Sequence, residues 1–153
     1  SFPTRRSSDL IVYTDGACKG NPGPGGWAAR LIEPLSGHIK DFSGGEAMTT
    51  NNRMELLGVI RALQALKRPV EVDIHCDSKY VINAFKERWI QKWQANGWRT
   101  SSKKPVENQD LWLELLDAVR GHKVNWVHVK GHAGVEHNEA CDRLAVLAAQ
   151  RFQ

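Results

Sequence analysis

The apolar positions of this chain follow a two-residue period in some stretches and a helical period in others, and the changes of period mark its elements. Leu10-Ile11-Val12-Tyr13-Thr14 is a β-branched and aromatic run that stops at Asp15-Gly16, which predicts a strand closed by a turn. Asn21-Pro22-Gly23-Pro24-Gly25-Gly26 is dense turn punctuation. Trp27 to Ile32 and then His38 to Phe42 read as the next two strands, and short loops between three strands predict an antiparallel meander.

A helical period follows. Thr49-Thr50-Asn51-Asn52 offers several N-cap candidates, Asn52 with Glu55 three residues later resembles a capping box, and Leu56, Ile60 and Leu63 form an apolar stripe that Pro69 ends. Val70, Val72, Ile74 and Cys76 alternate with Glu71, Asp73, His75 and Asp77, the pattern of a strand. Ser78 is placed to cap a helix over Lys79 to Phe85. Arg88 to Lys104 is basic and amide-rich, with Trp89, Trp93 and Trp98 near helical spacing and Gly97 and Pro105 at its far end. Glu107 to Val119 predicts a further helix ended by Gly121, and Val124 to Val129 a last strand. Gly131 to Gly134 reads as a loop, and from Glu136 onward Cys141, Leu144, Ala145 and Ala148 make a final amphipathic helix. The order is that of a mixed sheet with helices packed on it.

Composition narrows this picture. A chain of 153 residues is one ordinary domain, and no apolar run approaches the roughly 18–20 residues that span a bilayer. Residues 1–9 are polar and without periodicity, so they are expected to be foreign to the domain or disordered, leaving 10–153 as the folded unit. They carry no apolar signal core, and no further binding module is expected ahead of the first strand. Cys18, Cys76 and Cys141 are too scattered for a disulfide framework or a zinc site. A cytoplasmic monomer with reduced thiols and no obligate protein partner is the expectation. The formal charge of +4 fits a polyanionic partner without requiring one.

Four acids stand out by position rather than by type, since a lone carboxylate usually just faces water. Asp15 ends the first predicted strand and Asp77 the fourth, and ligands collect outside the carboxyl ends of neighbouring parallel strands. Glu55 lies near the start of the long helix, and Asp142 lies one turn inside the last one, opposite Leu144 and Ala148. Four such acids in one pocket would repel each other strongly unless cations filled it, and hard divalent ions prefer oxygen ligands.

Read in order, Tyr-Thr-Asp15-Gly-Ala-Cys-Lys-Gly-Asn-Pro-Gly-Pro-Gly-Gly, Thr-Thr-Asn-Asn-Arg-Met-Glu55-Leu, Asp77-Ser-Lys-Tyr-Val, Val-Lys-Gly-His132-Ala-Gly and Asn138-Glu-Ala-Cys-Asp142 resemble type 1 ribonuclease H from about Leu10 to the C-terminus. The resemblance implies an α/β ribonuclease H-like fold, with a five-stranded mixed sheet in the order 3-2-1-4-5 and helices on both faces. It implies an endonuclease that hydrolyses the RNA strand of RNA–DNA hybrids and leaves 5′-phosphate and 3′-hydroxyl ends. By position, Asp15, Glu55, Asp77 and Asp142 become the metal-binding catalytic carboxylates for two Mg²⁺ ions, with Mn²⁺ as a substitute. His132 becomes the mobile histidine beside them. Histidines 38, 75, 122, 128 and 137 match no catalytic position.

The same resemblance places Cys18, Asn21, Asn51 and Glu55 near the RNA minor groove, where the 2′-hydroxyl is read. Thr50 and Asn51 fall where a DNA phosphate is held, and Lys79 and Asn138 also fall at substrate-contact positions. The Trp89–Lys104 segment matches the family's basic handle, with Trp89, Lys92, Trp93 and Arg99 as contacts, although one or more of its tryptophans is expected to be structural. Two departures stand out: the handle is less basic around Gln94-Ala95-Asn96, and Lys79 replaces a common Gln. The rival readings are an integrase-like or resolvase-like nuclease acting on DNA, which would cut duplexes without ribonucleotides, and an inactive hybrid-binding module, which would need no acidic pocket.

Overall fold

Alternation decides which way each strand faces. In the computed structural model, which describes residues 8–130 and 136–153, Val72, Ile74 and Cys76 are fully buried while Glu71, Asp73 and His75 between them are half-buried. The elements in chain order are β1 (Leu10–Cys18), β2 (Gly23–Ile32), β3 (Ile39–Thr49), α1 (Asn51–Gln64), β4 (Glu71–Cys76), α2 (Lys79–Lys86), α3 (Trp89–Asn96), α4 (Gln109–Val119), β5 (Lys123–His128) and α5 (Glu136–Gln150). The sheet runs β3-β2-β1-β4-β5, the order that the resemblance implies. β1 pairs antiparallel with β2 and parallel with β4, and β4 pairs parallel with β5.

One face of the sheet meets α1. Met54, Leu56, Val59, Ile60 and Leu63 of that helix are at most 1% exposed, and they pack with Val12, Val72, Ile74 and Trp112 into the main core. The other face meets α5, whose Cys141 and Ala145 pack on Ala28 of β2. Small residues let this helix come close: a Cβ on Gly26 would stand 2.1 Å from the Ala145 carbonyl oxygen. Among the described residues, no helix is long and apolar enough to cross a membrane.

The strands are longer than local pattern predicts. β1 does not close at Asp15-Gly16 but continues to Cys18, paired with β2 from Asp15↔Ala28 to Cys18↔Gly25. β3 likewise runs past Phe42 to Thr49. Gly23, Gly25 and Gly26, read as turn punctuation, are strand residues. Their missing side chains admit Lys19, Thr49 and α5 at distances no Cβ allows.

The predicted capping box is also corrected. α1 begins two residues earlier, with Thr50 as the N-cap accepting the Arg53 N–H at 3.3 Å, so Glu55 lies too far along to cap and its carboxylate is free for other work. The helix ends at Gln64 rather than at Pro69. Ser8 and Asp9, which composition assigns to the foreign first residues, bond to β4: Ser8 Oγ donates to Asp73 at 2.7 Å and the Asp9 N–H to the Glu71 carbonyl at 2.9 Å.

Candidate active site

β1 and β4 share ladder bonds only as far as Tyr13↔His75. Asp15 and Asp77 follow just beyond that point, where the parallel pairing of the two strands ends, Asp15 within β1 and Asp77 immediately after β4. Glu55 arrives from α1, which crosses β1 unusually closely at Gly16. A Cβ there would sit 2.6 Å from the Glu55 backbone nitrogen and 2.7 Å from the Met54 carbonyl carbon, so only glycine lets helix and strand touch. One carboxylate oxygen from each of Asp15, Glu55 and Asp77 then lies within 4.8 Å of the other two. Asp142, exposed on α5, is near enough for its charge to raise the Asp15 carboxyl.

The trio is costly as a set of anions. Asp15 is 6% exposed and Glu55 5%. Burial, then the charge of Asp77, push the Asp15 carboxyl up to about 7, with Asp142 adding to the rise and the Gly16 N–H opposing it. That N–H donates to Asp15 Oδ1 at 2.8 Å. Glu55 is pushed well above the usual carboxylate range, first by burial and then by Asp15 and Asp77. Its Oε2 is buried with no hydrogen-bond partner among the described residues. An unpartnered buried acceptor facing two more acids is what a hard cation would satisfy, and an all-oxygen donor set suits Mg²⁺ or Mn²⁺. The residues present therefore fit a divalent metal.

A ribonuclease H family model matches residues 7–150. This chain belongs to the ribonuclease H family. It is 61% identical to the Ribonuclease H of Thermoanaerobacter sp. (strain X514) over 140 residues, which cover 92% of this chain and 89% of that protein. It is 60% identical to the Ribonuclease H of Caldanaerobacter subterraneus subsp. tengcongensis over 142 residues, 92% of each. Among solved structures, a type 1 RNase H with the type 2 active-site motif superposes with a TM-score of 0.83 at 34% identity, over 98% of this chain and 76% of that one. An RNase H1 in complex with RNA/DNA hybrid shares the fold at a TM-score of 0.72 and 23% identity, over 93% of this chain and 97% of that one.

Around the ribonuclease H carboxylates, the residues singled out from sequence fall into two groups. The first is occupied in holding the start of α1. Asn21 Oδ1 accepts the Asn51 N–H at 2.9 Å, Thr50 is the N-cap, and Cys18 Sγ contacts the carbonyl oxygens of Thr49 at 3.4 Å and Gly23 at 3.6 Å. The second group is outward: Lys79, Lys92 and Arg99 are exposed. Trp89 and Trp93 are half-buried and continue an aromatic series into the core, Trp93 lying 6.2 Å from Trp89, 5.8 Å from Trp98 and 5.4 Å from buried Trp112. Asn138 is half-buried on α5, its Oδ1 without a partner among the described residues. His132 lies outside the described residues. Gly16 is the functional residue that sequence reasoning passed over, because an Asp-Gly pair signals a turn whereas its role here depends on a helix 38 positions away in Met54. Cys76 and Cys141 are inert by the same burial that shapes the site, which pushes each thiol up to about 12.

Proposed function

We propose that this chain hydrolyses the RNA strand of RNA–DNA hybrids, leaving 5′-phosphate and 3′-hydroxyl ends, with two divalent cations held in its carboxylate pocket. The observation that carries the reading is the buried Asp15–Glu55–Asp77 trio, with its unpartnered Glu55 oxygen, in a chain of the ribonuclease H family. The hybrid-bound RNase H1 of the same fold supports the choice of substrate.

Asp15, Glu55, Asp77 and Asp142 are the residues that would hold the ions, with Mg²⁺ as the working metal and Mn²⁺ as a substitute. When bound, such a pair supplies Lewis-acid activation of the attacking water and neutralises charge at the leaving 3′ oxygen. Before that, Asp15, raised to about 7, and Glu55, raised well above the usual carboxylate range by burial and by Asp15 and Asp77, keep protons more readily than free carboxylates, and these must leave as cations enter. His132 is assigned to proton traffic or product release.

Recognition divides between the strands. Cys18, Asn21 and Asn51 face the RNA minor groove in this reading, where Asn21 keeps its amide donors because only its oxygen is engaged by the Asn51 N–H. Thr50 and Asn51 sit at the N-terminus of α1, a ready place for a DNA phosphate. Lys79 and Asn138 flank the pocket as further contacts. Lys92 and Arg99 of the handle engage phosphates and release counterions, with Trp89 and Trp93 as the surface they stand on. The same reading makes the protein a cytoplasmic monomer whose domain spans 10–153.

The test is incubation with labelled RNA–DNA hybrid in Mg²⁺ or EDTA, beside single-stranded RNA, RNA duplex and DNA duplex. Mg²⁺-dependent cutting of the hybrid's RNA alone, lost in Asp15→Asn, is expected. Cutting of plain DNA duplex would favour the integrase-like reading instead, and retention of intact hybrid would leave only a binding role.

A further inference from the structure

β2 turns Gly26, Ala28 and Arg30 toward α5, three alternate positions on one face. At Gly26 the two backbones touch, a Cβ there standing 2.1 Å from the Ala145 carbonyl oxygen and 2.6 Å from the Ala149 nitrogen. At Ala28 the contact is between side chains, with Cys141 and Ala145. At Arg30 the long guanidinium reaches His137, Nη1 lying 3.2 Å from Nδ1. The helix thus rises off the sheet toward its N-terminus, and Arg30 with His137 fills the widening gap.

Arg30 is itself held in place. Its Nε and Nη2 donate to the two oxygens of Asp41 at 2.8 and 3.0 Å, and its side chain is only 15% exposed. Asp41, Arg30, Tyr13 and His75 are register partners, so they form one row across β3, β2, β1 and β4. The Tyr13 ring stacks on His75 with centroids 4.6 Å apart and lies 5.3 Å from the His137 ring. A guanidinium has donors and no acceptor, so the Arg30 contact requires His137 Nδ1 to be a bare acceptor, with the proton on Nε2. This row lies two residues before Asp15 on β1 and two before Asp77 on the β4 side. His137 sits on the helix about 7.5 Å along its axis from Asp142.

We propose that Arg30 and His137 are a positioning pair, which pins the first turn of α5 to the sheet, holds Asp142 against Asp15, and thereby sets the affinity of the pocket for divalent cations. The inference rests on the function proposed above. Neither side chain touches substrate or a reacting atom in this role. A plain surface ion pair between Arg30 and Asp41 would contribute little to stability and nothing to metal binding.

The experiment uses the full chain as parent, His137→Ala, His137→Gln and Arg30→Lys. Mn²⁺ binding is titrated by calorimetry without substrate, hybrid cleavage is followed against Mg²⁺ concentration, and melting is measured in EDTA. His137→Ala and Arg30→Lys are expected to weaken Mn²⁺ binding and raise the half-saturating Mg²⁺ about tenfold, the lower end of what removing a supporting hydrogen bond does to a metal site. Lysine can meet Asp41 or His137 but not both, which is why it fails where arginine succeeds. Gln offers an acceptor oxygen to Arg30 and is expected to restore binding to within about twofold of the parent. Unchanged Mn²⁺ binding in His137→Ala and Arg30→Lys overturns the inference, and so does a Gln variant as weak as Ala, which would mean that ring volume and not the acceptor matters. Should His137→Ala fail to fold, Arg30→Lys and His137→Gln decide the matter by the same readouts. A parent that neither binds Mn²⁺ nor cuts hybrid sinks the proposed function and this inference together. A parent that does both, beside variants that match it, sinks this inference alone.

Discussion

Replacing Asp15 by Asn is expected to strengthen the metal-free fold above neutral pH while abolishing cleavage. The carboxyl stands at about 7 instead of 3.8, chiefly through burial and then through Asp77. Because its folded value exceeds its unfolded one, the native chain keeps this proton in a range where the unfolded chain has lost it. The side chain is therefore harmless below about pH 4, increasingly destabilising as pH rises toward 7, and fully so beyond. A rise of that size corresponds to about 4 kcal/mol. Removing one anion also relaxes Glu55 and Asp77, and water reaches the open side of the pocket, so about 2 kcal/mol is the expected gain at about pH 8. For a chain of this length that is roughly 4–8 °C in melting temperature. The amide keeps an oxygen for the Gly16 N–H, so no bond is lost. Melting curves of parent and variant in EDTA, from about pH 4 to about pH 8, test the reasoning: the curves should coincide at the acid end and separate toward the alkaline end. Millimolar Mg²⁺ should then raise the parent and leave the variant where it is. A variant that melts at or below the parent at about pH 8 in EDTA would refute the claim that the buried charge strains the fold.

Gly16→Ala is expected to cost about 1–3 kcal/mol, read as a lower urea midpoint, and to cut hybrid cleavage further than stability explains, because its Cβ would press on backbone atoms of Met54 and Glu55 at 2.7 and 2.6 Å. Tyr80→Phe removes the oxygen that accepts from Trp112 Nε1 at 3.1 Å and Asn108 Nδ2 at 3.2 Å; stranding the N–H of a fully buried indole should lower stability by about 1–3 kcal/mol without touching metal binding. Lys92→Ala in the handle should weaken hybrid binding uniformly across sequences, and the slope of log affinity against log salt should fall by about one for each phosphate left without its cation. An unchanged slope would remove Lys92 from the substrate surface.

What was legible in the sequence was whatever repeats locally. The alternation through Val72, Ile74 and Cys76 gives β4 nearly to the residue, and the Ser78 cap holds, its Oγ accepting the Val81 N–H at 3.3 Å. The stripe on the last helix sets Asp142 apart from Leu144 and Ala148, and Asp142 is exposed while Leu144 is half-buried and Ala148 buried. What went astray did so where a long-range interaction overrode a local signal. Gly16 and the Gly23–Gly26 stretch look like turns, yet they are ladder residues whose bareness serves α1 and α5. Glu55 looks like a cap because Asn52 precedes it by three, yet Thr50 does that work and leaves Glu55 to the pocket. The meeting of Arg30 and His137, 107 positions apart, leaves no trace in any window of sequence. The strand order that sets β1 beside β4 came from family resemblance, since alternation alone says which face a residue takes and not which strand it neighbours.

The three clustered acids and the fourth are held by different physics, and this bears on how the pocket loads. Asp15, Glu55 and Asp77 stand on β1, α1 and the end of β4, next to Thr14, Met54 and Cys76, which are fully buried. Their geometry is as rigid as the main core, and their mutual repulsion cannot relax by moving apart. Asp142 rides instead on the exposed face of α5, one residue after buried Cys141 and just over a turn from the His137 contact, where polar groups replace backbone packing. Moving this acid costs less than moving any of the other three, since hydrogen-bonded surface segments open more readily than cores. A cation entering the trio meets ligands already in place and repays their burial. One that also needs Asp142 draws on a helix held by the Arg30–His137 contact, so the two demands separate: core mutations should change whether metal binds at all, and mutations beneath the first turn of α5 how tightly.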